Sequence, residues 1–388
     1  MKVAIVGGGA AGCFCAIQIK RRLPETEVVV FEAGKTTLAK VAVTGGGRCN
    51  LTNSFAEVKS LDKVYPRGTT LMKRALKVFG NEDVMRWFEA EGVALVVQED
   101  CCVFPASQDA MQIVLTLQRL MRSLGVTVRT GCPVKSVKDL LEKYDRVVVT
   151  TGGFTRGTSS MLDGLGLEIE KPIPALFTLN VKDPELNSMM GAVVENATVS
   201  LCGTKMKGEG PLLLTHWGVS GPAVLKLSSY AARILAEKEY QGDVSINWMG
   251  GMNEEQVRSL LGRIAESNSQ KSVLNAYPEA LTARLWEYLA HRAGVCGEKW
   301  GNLQKKTFNR LASVLCSDVH TINGRGHYKD EFVTCGGVAL SNIDIKTLQA
   351  KKIPGLYFAG EVLDIDAITG GFNLQAAWST GFLVAASI

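Results

Sequence analysis

The sequence lacks the features that mark membrane, secreted and zinc-binding proteins. No apolar run reaches the roughly 18 residues that a membrane-spanning helix requires. Ten cysteines are present, but none are spaced C-x-x-C or C-x₄-C, which disfavours a zinc site or a redox-active disulfide. The uncharged run from Val3 to Ile19 resembles a signal peptide, but its three consecutive glycines fit a nucleotide-binding turn better. We therefore expect a cytoplasmic protein with reduced thiols, no membrane association and no metal.

Histidine and net charge are also scarce. The chain has four histidines, and its formal charge of +5 permits a polyanionic partner without demanding one. With 46% hydrophobic and 21% charged residues, it has the composition of a packed protein and not of a disordered one. Its 388 residues predict about two or three domains.

Glycine is abundant, with 40 residues, and the first cluster has the pattern of a dinucleotide-binding turn. An apolar strand from Lys2 to Val6 precedes the motif G-x-G-x-x-G, and a helix from Ala10 to Arg22 follows it. In such turns the first glycine allows a tight bend, the second lets a pyrophosphate approach the backbone, and the third lets helix and strand pack closely. These glycines are Gly7, Gly9 and Gly12.

The next predicted strand, Glu27 to Phe31, ends at an acidic residue. Glu32 follows Gly12 by 20 residues, the spacing at which a carboxylate accepts hydrogen bonds from an adenosine ribose. An acid at this position favours FAD or NAD over NADP, because it needs a free ribose 2′-hydroxyl. The alternative is a glycine-rich turn in an unrelated βαβ unit.

Two further glycine clusters flank possible ligand contacts. Thr44 to Asn50 places three glycines beside Arg48, which can face a phosphate or an electron-rich ring; a flexible surface loop is the alternative. Near the C-terminus, a strand from Gly355 ends at Gly360 and Glu361, and Gly370-Gly371 then opens a helix that runs to about Ser387. A second helix N-terminus therefore offers its positive end to the same ligand, where it stabilises the negative charge of a reduced flavin.

These clusters resemble two-part FAD domains of the glutathione-reductase type and, more narrowly, the BaiN-like flavoproteins. That group includes bacterial ribosomal-RNA dihydrouridine synthases, a bile-acid-associated reductase and aminoacetone oxidases. The similarity covers essentially the whole chain and is carried by TGGGRCNLTN at 44–53, EGPLLLTHWGVSGPA at 209–223, VTCGGV at 333–338 and PGLYFAGEVLDIDAITGGFNLQAAWS at 354–379. Two departures from the family pattern are a shortened stretch at Phe154 to Thr158 and a cysteine, Cys335, where a small residue is expected.

The resemblance and the element pattern together predict an α/β fold, in which a β-barrel and a helical lobe are inserted into one Rossmann-like FAD-binding domain. Short alternating runs after about residue 174 indicate barrel strands, and longer amphipathic runs indicate helices. The predicted boundaries are 1–173 and 332–388 for the FAD-binding domain, 174–250 and 317–331 for the barrel, and 251–316 for the helical lobe.

The same reasoning predicts the residues that contact FAD. Val134 is included because the resemblance places it on a strand that meets the adenine. The predicted set is Gly7, Gly9, Ala10, Ala11, Gly12, Glu32, Ala33, Gly46, Gly47, Arg48, Val134, Thr151, Gly152, Gly360, Glu361, Gly371, Phe372, Asn373 and Leu374.

Because G-x-G-x-x-G occurs once, we expect no second dinucleotide fold, and NAD(P)H would act as a transient reductant at the open flavin pocket. Reduction of an electron-poor C=C bond needs a hydride at one carbon and a proton at the next. The candidate donors are His216, between glycines in a turn-like segment, and Cys49, whose pKa Arg48 is expected to lower. The alternatives are a structural histidine and an inert buried thiol, and we expect His291 and His320 to be surface or core residues.

Two readings of the substrate remain open. Uridine in ribosomal RNA is the leading one, supported by two basic stretches and by Trp300 as a stacking partner, although solvated helix faces explain such stretches equally well. The other is a small-molecule enzyme, either an enone reductase or an aminoacetone-type amine oxidase, and a non-catalytic RNA-binding flavoprotein is a third possibility. The sequence does not indicate the oligomeric state. The basic stretches comprise Arg67, Lys73, Arg74 and Lys77, and Lys299, Lys305, Lys306 and Arg310.

Overall fold

Short β-branched strands alternate with helices through the first half of the chain. The computed structural model describes residues 1–326 and 333–388. Its first part comprises β1 (Lys2–Val6), α1 (Ala10–Arg22), β2 (Glu27–Phe31), α2 (Ala39–Gly47), β3 (Thr52–Asn53), α3 (Thr69–Val78), α4 (Asn81–Ala90), β4 (Leu95–Val97), β5 (Cys102–Pro105), α5 (Ala110–Ser123), β6 (Thr127–Arg129), α6 (Val137–Leu141), β7 (Arg146–Val149), α7 (Arg156–Leu162) and β8 (Ile169–Ala175).

The middle of the chain changes to antiparallel strands and then to longer helices, before the last part returns to the earlier pattern. The middle part comprises β9 (Leu179–Val181), α8 (Pro184–Asn187), β10 (Val193–Leu201), β11 (Lys207–Thr215), β12 (Gly218–Ser220), α9 (Pro222–Tyr230), α10 (Ala232–Glu237), β13 (Gln241–Asn247), α11 (Glu254–Ser267), α12 (Ala283–Ala293), α13 (Lys305–Cys316) and β14 (Asp318–Arg325). The last part comprises β15 (Val333–Val338), β16 (Leu356–Phe358) and α14 (Phe372–Ser387).

The chain divides into two units, and the second is inserted into the first. The first unit spans Met1–Ile173 and Val333–Ile388, and the second spans Pro174–Phe332. The predicted boundary between residues 331 and 332 lies outside the described residues.

A parallel sheet of five strands, in the order β16-β7-β1-β2-β6, forms the centre of the first unit. All of its strand pairs are parallel, and the side chains of β1 and β7 are buried except for Lys2 and Arg146, the first residue of each strand. Burial on both faces explains why these strands are continuous valine- and isoleucine-rich runs. A sheet of this kind, with α1 following β1, is the Rossmann-like arrangement predicted from the glycine motif.

The second unit contains a closed six-stranded barrel in the order β10-β11-β12-β9-β14-β13. Inward-facing residues of β10, among them Val199 and Leu201, alternate with outward ones, as the period of a strand requires. Helices α11, α12 and α13 lie between β13 and β14 in the chain, and they bury their apolar faces in the same core. The predicted fold class, a Rossmann-like domain with an inserted barrel and helical lobe, is therefore confirmed.

Polar caps set where several predicted helices begin. The Asp109 carboxylate accepts a hydrogen bond from the Met111 N–H, and Asn253 and Gln256 form a reciprocal capping box at the start of α11. The amphipathic pattern of the sequence begins at Tyr277, but helix α12 begins only at Ala283, after Thr282 caps it. The helices are real, but their first residues follow local capping that periodicity alone does not locate.

Val134 does not lie on a strand, so that prediction is wrong. Strand β6 ends at Arg129, and Gly131 then turns the chain at φ +64°. Pro133 has no N–H to donate to a sheet, and the next element, α6, begins at Val137. Val134 is therefore in an irregular connection, and its contact with adenine remains a prediction.

Candidate functional site

The carboxyl ends of four parallel strands meet at one edge of the sheet. Val6 of β1 pairs with Phe31 of β2 and with Val149 of β7, and Val149 pairs with Phe358 of β16. The segments after these strands therefore lie side by side. Open parallel sheets bind nucleotides at this kind of edge.

The loop after β1 is built around positions where only glycine fits. A Cβ added at Gly7, where φ is +111°, would lie 2.4 Å from the Thr150 carbonyl oxygen. One added at Gly12 would lie 2.0 Å from the Gly7 carbonyl oxygen. A Cβ at Gly9, in contrast, would meet no atom within 4 Å. Gly7 and Gly12 thus let strand and helix approach each other, while Gly9 borders open space.

The N-terminus of α1 faces this open position without a side-chain cap. Its N-cap residue is Gly9, and no side chain accepts a hydrogen bond from the first turn. The first N–H groups of a helix have no partner within the helix and carry its positive dipole end. Ala10 and Ala11, in that turn, add little bulk. Backbone N–H groups in this arrangement bind phosphate groups.

Glu32 is fixed beside the same loop. Its Oε2 atom accepts a hydrogen bond from the Gly8 N–H at 2.7 Å, and its Oε1 atom accepts one from the Gly34 N–H at 2.6 Å. Each carboxylate oxygen has a second lone pair, so Glu32 can still accept hydrogen bonds from a ribose. Ala33, the next predicted contact, is exposed.

A second helix begins nearby in the same unit, also without a side-chain cap. The N-cap of α14 is Gly371, at φ +88°, and a Cβ there would lie 2.2 Å from the Thr52 carbonyl oxygen. Asn373 holds the preceding segment, because its side chain accepts from the Ala367 N–H at 2.9 Å and donates to the Ala367 carbonyl at 3.0 Å. Phe372 is buried, and Leu374 is half-buried.

Helix α14 packs directly on α1. A Cβ added at Gly381 would lie 2.8 Å from the carbonyl oxygen of Ala11, and one added at Gly360 would lie 3.0 Å from the Ala11 Cβ. Gly360, which lies two residues after β16, and Gly381 of the terminal helix therefore both approach the first turn of α1. The predicted contacts from the two ends of the sequence are brought together here.

The Glu361 side chain lies close to Gly152, in the segment after β7, and to Lys40 of α2. Its Oε1 atom accepts a hydrogen bond from the Thr334 N–H at 2.8 Å, and its Oε2 atom lies 3.5 Å from the Lys40 ammonium. A Cβ at Gly152 would lie 3.7 Å from Glu361 Oε2, so the two predicted contacts are neighbours. Thr151, which precedes Gly152, is half-buried. Lys40 is absent from the predicted set, because a single lysine on an exposed helix face gives no signal in the sequence.

The glycine–arginine segment is a structured turn. Gly45, Gly46 and Gly47 end α2 with φ angles of +58°, +68° and +83°, which glycine adopts without strain. The Arg48 guanidinium lies 4.4 Å from the centre of the Phe104 ring, and its Nε donates to the Gly45 carbonyl at 3.1 Å. Cβ atoms at Gly46 and Gly47 would meet nothing within 4 Å, so this turn borders open space as well.

Arg48 does not lower the pKa of Cys49, and that prediction is wrong. The Cys49 side chain has no exposed surface, and its burial raises the pKa of the thiol to about 12. A hydrogen bond with Thr44 opposes this shift only in part. Because burial raises its pKa, the thiol remains neutral and enclosed, which disfavours it as a proton donor.

His216 lies on the exposed turn that joins β11 to β12, with its ring 4.0 Å from that of Trp217, centre to centre. It belongs to the second unit, whereas the predicted FAD contacts belong to the first. Its role as the proton donor remains a prediction. His291 is exposed and His320 is buried, so they are a surface and a core residue as expected.

Arg67 is not available as a surface phosphate contact. It forms a two-pronged ion pair with Asp366, whose side chain has no exposed surface. Burial raises the pKa of Asp366, and the Arg67 guanidinium opposes that shift. Sequence reasoning missed Asp366, which is the last of three acids in the segment EVLDID at 361–366, and nothing in that pattern distinguishes the buried one.

Trp300 is likewise not an exposed stacking partner. Its side chain is 3% exposed, and its indole N–H donates to the Ala276 carbonyl at 3.0 Å. The neighbouring basic residues are exposed, as the sequence predicts; these are Lys299, Lys305, Lys306 and Arg310.

The edge of the sheet therefore fits an adenine dinucleotide. A Cβ at Gly9 would meet only open space, an uncapped helix N-terminus begins there, and the Glu32 carboxylate accepts a hydrogen bond from the neighbouring Gly8 N–H, which is the arrangement in which dinucleotide-binding turns hold a pyrophosphate and a ribose.

All ten cysteines are free thiols. Among residues 1–326 and 333–388, no cluster of three or more histidine, cysteine or acidic side chains is arranged to hold a metal ion. Over the same ranges, no helix is both long enough and apolar enough to cross a membrane.

Comparison with known proteins gives matches over the whole chain. The family model described as HI0933-like protein Rossmann domain matches residues 1–387. A ribosomal RNA dihydrouridine synthase of Escherichia coli is 30% identical, with 98% of this chain and 96% of the relative covered. Its counterpart of the same name in Haemophilus influenzae is 28% identical, with coverage of 99% and 97%. A 3-dehydro-bile acid delta(4,6)-reductase of Clostridium scindens is 27% identical, with coverage of 98% and 97%.

Proposed function

The chain belongs to the HI0933-like Rossmann family and is a FAD-dependent oxidoreductase, and on that premise we propose that it reduces uridine in ribosomal RNA to dihydrouridine, with NAD(P)H as the electron source. The observation that carries this proposal is the length of the match to the two dihydrouridine synthases. Each covers at least 98% of this chain, so the similarity includes both units and not only the nucleotide-binding one. A substrate in ribosomal RNA fits the cytoplasmic location that we expect.

The first unit supplies the cofactor contacts. The N–H groups at the start of α1 would hold the pyrophosphate of FAD, and Glu32 would accept hydrogen bonds from its ribose. The uncapped N-terminus of α14 adds a second positive end that favours negative charge on the ring system. FAD, when bound, supplies hydride transfer at N5.

The protein must also deliver a proton to the carbon next to the one that receives the hydride. Cys49 is unsuited to this, because its thiol is enclosed and its pKa is raised to about 12. His216 is exposed and can exchange protons with solvent, which supports it as the donor. A transient nicotinamide at the open flavin pocket would complete the redox cycle.

The test is mass spectrometry of nucleosides from ribosomal RNA. We expect dihydrouridine to decrease in a strain that lacks the gene and to return when the wild-type gene is supplied on a plasmid. A plasmid carrying Glu32→Ala should restore little, because cofactor binding is weakened. An unchanged dihydrouridine content in the deletion strain would overturn the proposal.

The second candidate function is the reduction of a small-molecule enone, which the Clostridium scindens relative favours. A 3-oxo steroid with conjugated double bonds poses the same electronic problem as uridine, because the C=C bond is polarised by a carbonyl. Anaerobic reoxidation of the reduced enzyme by such a steroid, with no reoxidation by ribosomal RNA, would favour this candidate. Rapid peroxide formation from a primary amine would instead identify an amine oxidase.

A further inference from the structure

The helical lobe of the second unit contains an open groove of about 560 Å³. It lies between the end of α11 and the segment that leads to α12, and its walls include Asn268, Lys271, Asn275, Tyr277 and Glu279. This volume is in the range of small-molecule sites. None of the predicted FAD contacts belongs to this unit.

Three aromatic rings form a column beneath the groove. The ring of Tyr277 lies 6.1 Å from that of Trp286 at an interplanar angle of 23°, and Trp286 lies 6.2 Å from Trp300 at 21°. Both tryptophans are buried, while Tyr277 is half-buried and lines the groove. Tyr277 is therefore a partly exposed aromatic residue of the groove that packs on a buried tryptophan.

The groove wall is held in place before any ligand binds. The indole N–H of Trp286 donates to the Val273 carbonyl at 2.8 Å, and the Trp300 backbone N–H donates to the Lys271 carbonyl at 3.1 Å. An antiparallel bridge joins Ser272 to Lys299. Binding to a fixed wall costs little conformational entropy.

The charge around the groove favours an anion. Residues 251–316 carry nine lysines and arginines against six glutamates. Lys271 in the groove wall and Lys299 on the bridged segment are both exposed. Helix α13 begins shortly afterwards with two lysines and has no acidic residue or side-chain cap in its first turn, where the dipole already favours anions. The charged residues Lys271 and Glu279 both line the groove and have opposite signs, so the excess of positive charge belongs to the surrounding lobe, which includes Lys299, and Lys271 is the cation of the groove wall.

From this juxtaposition we infer that the groove binds one nucleotide of single-stranded RNA. Its base stacks on Tyr277, its polar edge meets the amides of Asn268 and Asn275, and its phosphate lies at Lys271. Stacking on aromatic rings beside lysines is how proteins hold unpaired nucleotides. The inference rests on the proposed function, since RNA is the substrate, and it adds a contact site outside the flavin-binding unit.

The test measures binding of a short fluorescent oligouridylate to the full chain purified with its flavin. Tyr277→Ala should weaken binding by about 5- to 150-fold, the range that loss of one stacked base produces. Tyr277→Phe should bind like the wild type, since it keeps the ring. Lys271→Ala should lower the slope of log affinity against log salt by about one phosphate contact, whereas Lys238→Ala, on an exposed turn after α10, should not.

Two results would overturn the inference. One is wild-type affinity in Tyr277→Ala at an unchanged thermal midpoint. The other is displacement of the oligouridylate by NADH but not by unlabelled RNA, which would assign the groove to a free dinucleotide. A failure of the groove proposal can be told apart from a failure of the proposed function, because the deletion strain reports dihydrouridine directly. If dihydrouridine depends on the gene while Tyr277 does not affect RNA binding, the function stands and the groove proposal fails.

Discussion

Two glycines of one motif should respond to alanine in opposite ways. A Cβ at Gly9 meets no atom within 4 Å, and the residue has an extended backbone at φ −85° that alanine also adopts. We expect Gly9→Ala to fold with a loss of less than about 1 kcal/mol, the cost of a poorer N-cap. A Cβ at Gly12 would lie 2.0 Å from the Gly7 carbonyl oxygen and 2.5 Å from the Thr150 hydroxyl. Because both neighbours are held by the sheet, Gly12→Ala should cost about 3 kcal/mol or more.

Cofactor affinity should separate the two variants further. The methyl group of Gly9→Ala occupies the space that the pyrophosphate needs, so at least one hydrogen bond to a charged oxygen is lost. Such a bond contributes about 1.5–3 kcal/mol, so FAD should bind about 10- to 150-fold more weakly. Gly12→Ala should show its defect in the protein without cofactor, before FAD binding is measured.

Urea unfolding of the cofactor-free protein and titration with FAD, followed by flavin fluorescence, measure the two effects separately. Gly251→Ala is the matched control, because it also adds a methyl group into open space but lies away from the motif. Gly92→Ala is less suitable, because Gly92 has φ +86°, a conformation that alanine rarely adopts. Wild-type FAD affinity in a folded Gly9→Ala variant would refute the assignment of that space to the pyrophosphate. Wild-type stability in Gly12→Ala would refute the packing argument.

Three further changes test the site. Glu32→Gln should weaken FAD binding by about tenfold in the same titration, because a charged acceptor is replaced by a neutral one, and Glu27→Gln at the other end of β2 should not. Arg67→Met should destabilise the protein by about 3–5 kcal/mol in urea unfolding, because Asp366 keeps a buried charge without its partner. Since burial raises the pKa of Asp366, protonation relieves that charge, and the deficit should shrink as pH falls; a deficit that grows would contradict this. Cys49 should resist maleimide at pH 8 until the protein is unfolded, as peptide mass spectrometry would show, because its pKa is about 12.

The sequence predicted those parts of the fold that depend on short-range patterns. The strand before Gly7, the helix Ala10–Arg22 and the strand ending before Glu32 have the predicted bounds. Alternation with a period of two located three of the six barrel strands, β9, β10 and β13, and amphipathic runs located the lobe helices, with errors of one to six residues at the helix starts. Val134 was misplaced because its strand assignment came from resemblance, whereas Gly131 and Pro133 end the extended segment locally.

The sequence did not show which side chains are free to contact a ligand. Arg67 and Trp300 are both residue types that bind phosphates or bases, yet Arg67 is paired with Asp366 and Trp300 is buried. Each partner is distant in the chain, so no spacing rule predicts it. The predicted lowering of the Cys49 pKa by Arg48 was wrong for a related reason. Burial of the thiol depends on packing, and it raises the pKa despite the charged neighbour in sequence.

The sequence by itself determined where the glycine-rich turns and the acid at a strand end lie, because glycine conformation and helix capping are local properties, and from them it predicted a dinucleotide site. Only the tertiary structure decided which glycines leave open space and which are filled by backbone, with Gly9 and Gly12 three residues apart and opposite in this respect. It also decided that Tyr277, and not Trp300, is the aromatic ring that borders a groove. Those outcomes depend on packing between segments far apart in the chain, which no local pattern encodes.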